Sequence, residues 1–412
     1  MMSLSRKVKP VSSERENEII DLYYKIGAGS MYIDLTRTFF IFMAALRRTT
    51  RHDIAKIPNG PESWLGGAAL FSFGGISFKF ADRFLKYGRR VGCASAILNN
   101  APNAFFTVSN QHCQGLWDEI EKVDHHLIDH GLGEGDLFHT TGYMWNHGVV
   151  KAEQGDFDQS REIIEKLFQI GETYDYALAN VYAHTLNAAH LIKKNRTSEA
   201  LVESERGLSY SRERGTENQE LAFLGHKGQA QLLLGETEAS NDTISWGREI
   251  YEKQRHVCAL YVTPHLVARF LADIHRLQQE LCDARPFHDP NIRKTAYRSG
   301  KAALKKSRKY APYRTNIFRL MGHYYWLVNK QRKAIQWFDK AIKEGERLGA
   351  RPDLSRTYLE VGRRLLEPQS KFKELNGISA PEYLNKAETL FREMDLQWDL
   401  EQLERVRAGE KI

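Results

Sequence analysis

Apolar residues recur along most of this chain at helical rather than strand spacing. In the stretch GDFDQSREIIEKLFQI, Ile163, Ile164, Leu167 and Ile170 fall on one face of a helix, and the charged residues fall on the other. The phrase returns at a fixed interval. Gly75, Gly115, Gly155 and Gly235 lie on one 40-residue ladder, and Asn195 takes the missing rung. Four rungs open similar stretches: GLWDEIEKV at Gly115, GDFDQSREII at Gly155, NRTSEALVES at Asn195 and GETEASNDTI at Gly235. Glycine and asparagine tolerate the left-handed backbone that ends a helix. Asp156, Asp158 and Ser198 follow closely and are the residue types that cap the next one. Each rung therefore predicts the turn of a helical hairpin.

A second ladder runs through the first helices. Gly148, Ala188, Gly228 and Ala268 stand 40 residues apart, and Gly322 and Gly362 repeat the spacing. The step from Ala268 to Gly322 is 54, so about fourteen residues are inserted, most naturally around Gln278 to Ile292, where Pro286 and Pro290 break helix. The clearest unit spans Thr315 to Ala350. Met321, Gly322 and Tyr325 share one face of its first helix, and Ala334, Phe338 and Ala341 share one face of its second. Small residues flanking a large one make the A-x3-F-x2-A pattern of tetratricopeptide repeats. A 40-residue unit, longer than the common 34, predicts helices of 16 to 18 residues.

The expected units start near Tyr23, Pro61, Ala101, Thr141, Val181, Leu221, Tyr261, Thr315 and Ser355. The last is interrupted from Pro368 to Pro381, resumes at Glu382, and is followed by a capping helix from Leu396 to Val406. The fold class expected is all-α: a right-handed, tetratricopeptide-like superhelical solenoid of about eight to nine hairpins. Residues 1–12 are expected to be a disordered basic tail, 13–60 an N-terminal helical hairpin, 61–406 the repeat array with its insertion near 278–292, and 407–412 a C-terminal tail.

From about Gly60 to Val406 the chain resembles the C-terminal tetratricopeptide region of large bacterial signalling proteins. The residues carrying the likeness are GLWDEIEKVDHHLIDHGLG (Gly115 to Gly133), the run from Arg319 to Leu365, and KAETLFREMDLQWDLEQLERV (Lys386 to Val406). In that family such an array follows a class III nucleotide cyclase, a kinase or a STAND-type ATPase. The sequence has no GxxxxGK[ST] and no kinase HRD or DFG set, so the catalytic head is not here. The resemblance implies a regulatory array, with a cyclase or ATPase on another chain as a possible partner.

Composition narrows the chemistry. The 412 residues are 42% apolar and 27% charged, a balance suited to helices with one wet face. Cys93, Cys113, Cys258 and Cys282 form no CxxC pair and no framework, which points to reduced thiols in a cytoplasmic protein. Thr38 to Leu46 and Ser63 to Phe78 are apolar, but both fall short of the ~20 residues a membrane span needs; a buried helix pair is expected instead. His126 and His130 share a helical face amid His112, His125, His139 and His147, without an HExxH glutamate. The expectation is solvated histidines at helix ends, and no metal. The pairs Asp156/Asp158 and Glu203/Glu205 lack a supporting His or Ser, so neither catalysis nor a cofactor is expected.

Charge adds one candidate site. From Pro290 to Phe338 there is no Asp or Glu, and Arg293, Lys294, Arg298, Lys301, Lys305, Lys306, Arg308 and Lys309 occur together. Lys301, Lys305, Arg308 and Lys309 line one helical face, a surface for an acidic partner. The expected function is a non-catalytic protein-interaction scaffold or regulatory sensor whose groove presents first-helix side chains to a protein or peptide. The alternatives are a sensor tail acting on a separate cyclase or ATPase, and a basic solenoid acting on nucleic acid or a membrane surface.

Overall fold

The computed structural model describes residues 9–30, 35–93, 100–215, 217–253, 257–282 and 290–410. Among them are nineteen α-helices. The first five are α1 (Glu14–Ser30), α2 (Leu35–Thr49), α3 (Gly60–Phe73), α4 (Phe78–Cys93) and α5 (Ala101–Gln114). A short α6 (His125–Gly133) precedes the regular hairpins α7 (Leu137–Gln154) with α8 (Phe157–Thr173), α9 (Ala177–Lys193) with α10 (Thr197–Glu213), and α11 (Glu217–Leu233) with α12 (Thr237–Lys253). Then come α13 (Ala259–Cys282) with α14 (Pro290–Ser307), α15 (Arg314–Leu327) with α16 (Gln331–Leu348), α17 (Arg351–Leu366) with α18 (Ala380–Glu393), and the terminal α19 (Gln397–Arg407). Residues 1–8, 283–289 with Pro286, and 411–412 lie outside the described residues, and so do parts of the tail and insertion expected there.

Helices pack against their hairpin partners, and each first helix packs against the next: α7 on α9, α9 on α11, then α13, α15 and α17. This is an all-α, tetratricopeptide-like solenoid. The turn ladder has the backbone its residue types suggest. Gly75, Gly115, Gly155, Asn195 and Gly235 all have positive φ, from 57° to 85°. Asp156 caps α8 by accepting from the Gln159 N–H, whereas Asp158 and Ser198 sit inside their helices without capping. The glycines of the small-residue ladder mark where a first helix is closely approached by its neighbours, Gly148 most closely by Leu186 of α9. A Cβ on Gly322 would lie 2.4 Å from the Phe338 ring, one on Gly148 3.0 Å from Ile163, and one on Gly362 2.7 Å from Leu384. The interruption before α18 is a two-residue hairpin turn, Asn376–Gly377, both with positive φ, joining Glu374–Leu375 to Ile378–Ser379.

The superhelix closes on itself. Gly75, Gly115 and Gly155 touch Lys309, Leu348 and Met394, each about 235 positions further along the chain. Ala311 donates its N–H to the Cys113 carbonyl at 3.0 Å, Arg347 Nη1 donates to the Gly115 carbonyl at 2.8 Å, and Lys309 Nζ donates to the Ile76 carbonyl. The first half of the array thus lies against the second, one superhelical turn later.

That closure explains the clearest departure from the sequence pattern. GLWDEIEKV has helical spacing, yet after Gly115 the chain makes one 3₁₀ turn, Trp117–Glu119, and no long second helix. Trp117 is buried between Val150 and the second-half residues Ala311, Leu348 and Ala350, and its Nε1 donates to the His112 carbonyl. Packing between turns overrides local helical preference. The apolar stretches at Thr38 and Ser63 are α2 and α3, and no helix among the described residues is long and apolar enough to cross a membrane. Cys113 and Cys258 are free, buried thiols, the latter pushed up to about 12 by burial; the side chains of Cys93 and Cys282 lie outside the described residues.

Gly115→Ala should destabilise more than Gly235→Ala. Both positions have φ above 80°, but a Cβ on Gly115 would press on Leu348 and Ala311 within 2.9 Å, while Gly235 faces open space. Urea denaturation should show an extra loss of ~1–3 kcal/mol for Gly115→Ala; equal losses would remove the close approach as its cause.

Candidate functional site

The first helices converge on one cavity of about 250 Å³. It is walled by α9, α11, α13, α15 and α17 and covered by α19. Their inward faces carry amides and charges where a plain core would carry leucine. Asn195, Gln229, Asn316 and Gln402 line the walls, Leu271, Leu320 and Leu359 form apolar patches, and Trp398, 47% exposed, stands on α19 at the rim.

A buried ion network forms one side. Lys193 Nζ lies 3.0 Å from Glu153 Oε2 on α7 and 3.1 Å from Asp353 Oδ2 on α17, with all three side chains under a tenth exposed. Burial and Asp353 raise the Glu153 carboxyl to about 7 despite Lys193. Burial works to raise Asp353 too, but Lys193, Arg356 and Arg319 hold it below its ordinary value. Two carboxylates share one ammonium, and the proton settles on the one with fewer cations around it. Arg356 makes two 2.8 Å bonds to Asp399 on α19 and donates to the Lys193 carbonyl at 2.7 Å. Burial would also raise Glu360, yet Arg363 and Arg364 pull it far below the carboxylate range.

Arg319 on α15 is the exception. Its Nη2 donates to Asn316 Oδ1 at 2.9 Å, its buried Nε has no hydrogen-bond partner, and among the described residues no carboxylate lies within ion-pair distance. Burial lowers its pKa, with Asp353 and Glu360 acting only at longer range in the other direction. A guanidinium with unused donors facing a cavity is set to receive a carboxylate or another planar anion.

The basic residues singled out in the sequence lie elsewhere. Arg293, Lys294, Arg298, Lys301, Lys305 and Lys306 are on α14, a second helix, with Arg308 and Lys309 just after it, and none of the eight lines the cavity. Lys306 donates to the Val257 carbonyl and Lys309 to the Ile76 carbonyl, so these two are engaged within the chain. The other six are exposed, and among the described residues none pairs with a carboxylate. The expectation for the histidines needs correcting. His125, His126 and His130 are exposed on α6, but His112, His139 and His147 are buried in the core, where rings pack as aromatic side chains. Among the described residues no group of three or more His, Cys, Asp or Glu is placed to hold a metal.

The fold and cavity together define a closed tetratricopeptide-like superhelix. No protein-family model matches the chain, and no curated protein matches it. Among solved structures it is similar to a Rap protein crystallised in complex with competence and sporulation factor: 10% identity, 96% of this chain and all of that one, TM-score 0.59. The tetratricopeptide domain of P58(IPK) aligns at 13% identity over 95% of this chain and 98% of that one, but its TM-score of 0.22 carries no weight. At 10% identity the likeness to the Rap protein shows the fold.

Two predictions follow from the buried charges. Lys193→Met leaves two buried carboxylates facing each other and should cost ~3–5 kcal/mol. Adding Glu153→Gln and Asp353→Asn should recover most of it in urea denaturation; no recovery would mean that Lys193 acts through packing alone. The second concerns acid. Burial lowers His112, His147, His190, His226 and His265 to about 4 and His323 to about 3. Below ~6.5 the unfolded chain takes up protons that the folded chain refuses, so stability is complete above that pH and is lost as pH falls toward 4. Glu153 and Asp273, both raised by burial, have the opposite sign, two groups against six. The melting temperature should therefore fall steeply between pH 6.5 and 4, and a flat profile there would contradict the buried neutral histidines.

Proposed function

We propose that this chain is a regulatory interaction solenoid whose cavity takes an anionic anchor of a peptide or protein segment, with Arg319 as the receiving cation. One observation carries the reading: a buried guanidinium with an unbonded Nε and no ion pair, opening into a cavity walled by amide side chains. Amides suit peptide backbone, apolar patches suit side chains, and Trp398 at the rim offers a ring to cover what enters. A cavity of 250 Å³ is near the lower end of ligand pockets, on the order of 300–1,000 Å³. It suits one or two anchor residues, with the rest of the segment running outward. A Rap protein of similar fold crystallised with competence and sporulation factor supports a bound partner for this architecture. The exposed strip on α14 is a second docking surface in this reading, for an acidic partner. A nucleotide cyclase or ATPase is the partner class implied by the likeness to bacterial signalling arrays; pull-down with mass spectrometry identifies what binds.

The test uses a library of short linear peptides with free or amidated C-termini, read by Trp fluorescence and calorimetry. Peptides offering a carboxylate should bind, and Arg319→Met should weaken them about tenfold or more. Because Arg319 is buried without an ion pair, Arg319→Met should melt no lower than the unmodified chain. Undiminished binding by Arg319→Met would overturn the assignment.

A further inference from the structure

The net charge of this protein has a definite address, and it is not the acid-free run on α14. From Leu35 to Trp117 the sequence holds ten Lys and Arg against three Asp and Glu. The rest of the chain holds forty-nine of each, so this segment accounts for the whole formal charge of +7. Two of its three acids are occupied. Glu62 is buried and accepts from Asn100, and Asp82 accepts from Asn110 and Gln114.

The segment folds so that α2 and α4 both pack against α3. Met43 of α2 and Phe84 and Tyr87 of α4 pack with Trp64 of α3. Phe39, Phe71, Phe80 and Phe84 continue the strip, with ring centroids 5.2–6.2 Å apart. At its solvent edge Phe40 is 67% exposed, Phe80 48% and Ile76 51%. Arg47 on α2 and Lys79, Arg83, Lys86 and Arg90 on α4 are exposed on the same two helices. Arg83 lies 5.8 Å from the Phe80 ring centroid, and among the described residues none of these five cations pairs with a carboxylate.

We propose that the α2–α4 face is a peripheral docking surface for anionic membrane lipid. Phe40 and Phe80 enter the headgroup layer, and Arg47, Lys79, Arg83, Lys86 and Arg90 meet the lipid charges. Protruding phenylalanines on helices that also carry unpaired cations are the composition of an interfacial anchor. A nucleic-acid duplex would satisfy the cations but leave the phenylalanines in water. With no helix among the described residues long and apolar enough to span a bilayer, the contact lies in the interface. The surface shares no residue with the Arg319 cavity and stands independently of it.

The test is vesicle co-sedimentation of the full chain. Mixed phosphatidylserine–phosphatidylcholine vesicles should bind about tenfold more strongly than phosphatidylcholine alone, and added salt should weaken the difference. Phe40→Ser with Phe80→Ser, and separately Arg83→Glu with Lys86→Glu, should abolish binding without lowering the melting temperature. Lys301→Glu with Lys305→Glu on α14 should leave it intact. In the unmodified chain, brominated lipid should quench Trp64, which lies under the strip 4.5 Å from the Tyr87 ring. Equal binding to both vesicle types, no quenching of Trp64, loss through the α14 variant alone, or a preference for duplex DNA over vesicles would each overturn the proposal.

Discussion

The structure depends on one contact between non-neighbouring parts of the array: Lys193, at the end of α9, sits between Glu153 on α7 and Asp353 on α17. An open solenoid has only nearest-neighbour interfaces, and its stability is close to a sum over repeats. Here a buried cation ties repeats 160 positions apart, and Arg356 adds a bond to the Lys193 carbonyl from the same α17. Desolvating such a network is costly unless every member is paired, so it favours one relative placement of the two halves. The glycine turns then act as spacers. At Gly75, Gly115 and Gly155 the absent side chain is what lets the next superhelical turn approach.

Closure also defines the site. In an open array the first-helix faces would form a long groove. With α17 against α7 and α19 laid over the end, the same faces enclose a small polar cavity. The walls carry the ion pairs of Lys193, Arg356 and Glu360, and among the described residues Arg319 makes none. In the proposed reading a ligand anion there would pair the Arg319 guanidinium, and in a low-dielectric setting that pairing is worth more than on the surface.

The two ladders were legible from sequence because each rung answers to a local constraint, a positive φ at Gly155 or Asn195, or a helix–helix approach at Gly322. What was not legible depends on contacts across a superhelical turn. Nothing local tells GLWDEIEKV that Trp117 will be buried against Ala311 and Leu348, so its helical spacing misleads. The histidines misled similarly: His112 and His147 are polar by type but pack as rings once α5 and α7 are covered. Glu153 and Lys193 did leave a trace. They are one 40-residue repeat apart, in the same register, with opposite charges, where Leu233 takes the next rung. Charges in a register that is apolar one repeat later signal an ion pair between adjacent first helices. Arg319 left no such trace, since its meaning lies in what does not reach it.

In the proposed reading the anion cavity lies between the first helices of the two halves. Cavity residues come from α9 and α11 on one side and from α15, α17 and α19 on the other. An occupant touching both sides is bound fully only when the halves are together, so it stabilises closure by as much as closure tightens its binding. The same closure joins the α14 strip to the α2–α4 face, where Lys309 donates to the Ile76 carbonyl.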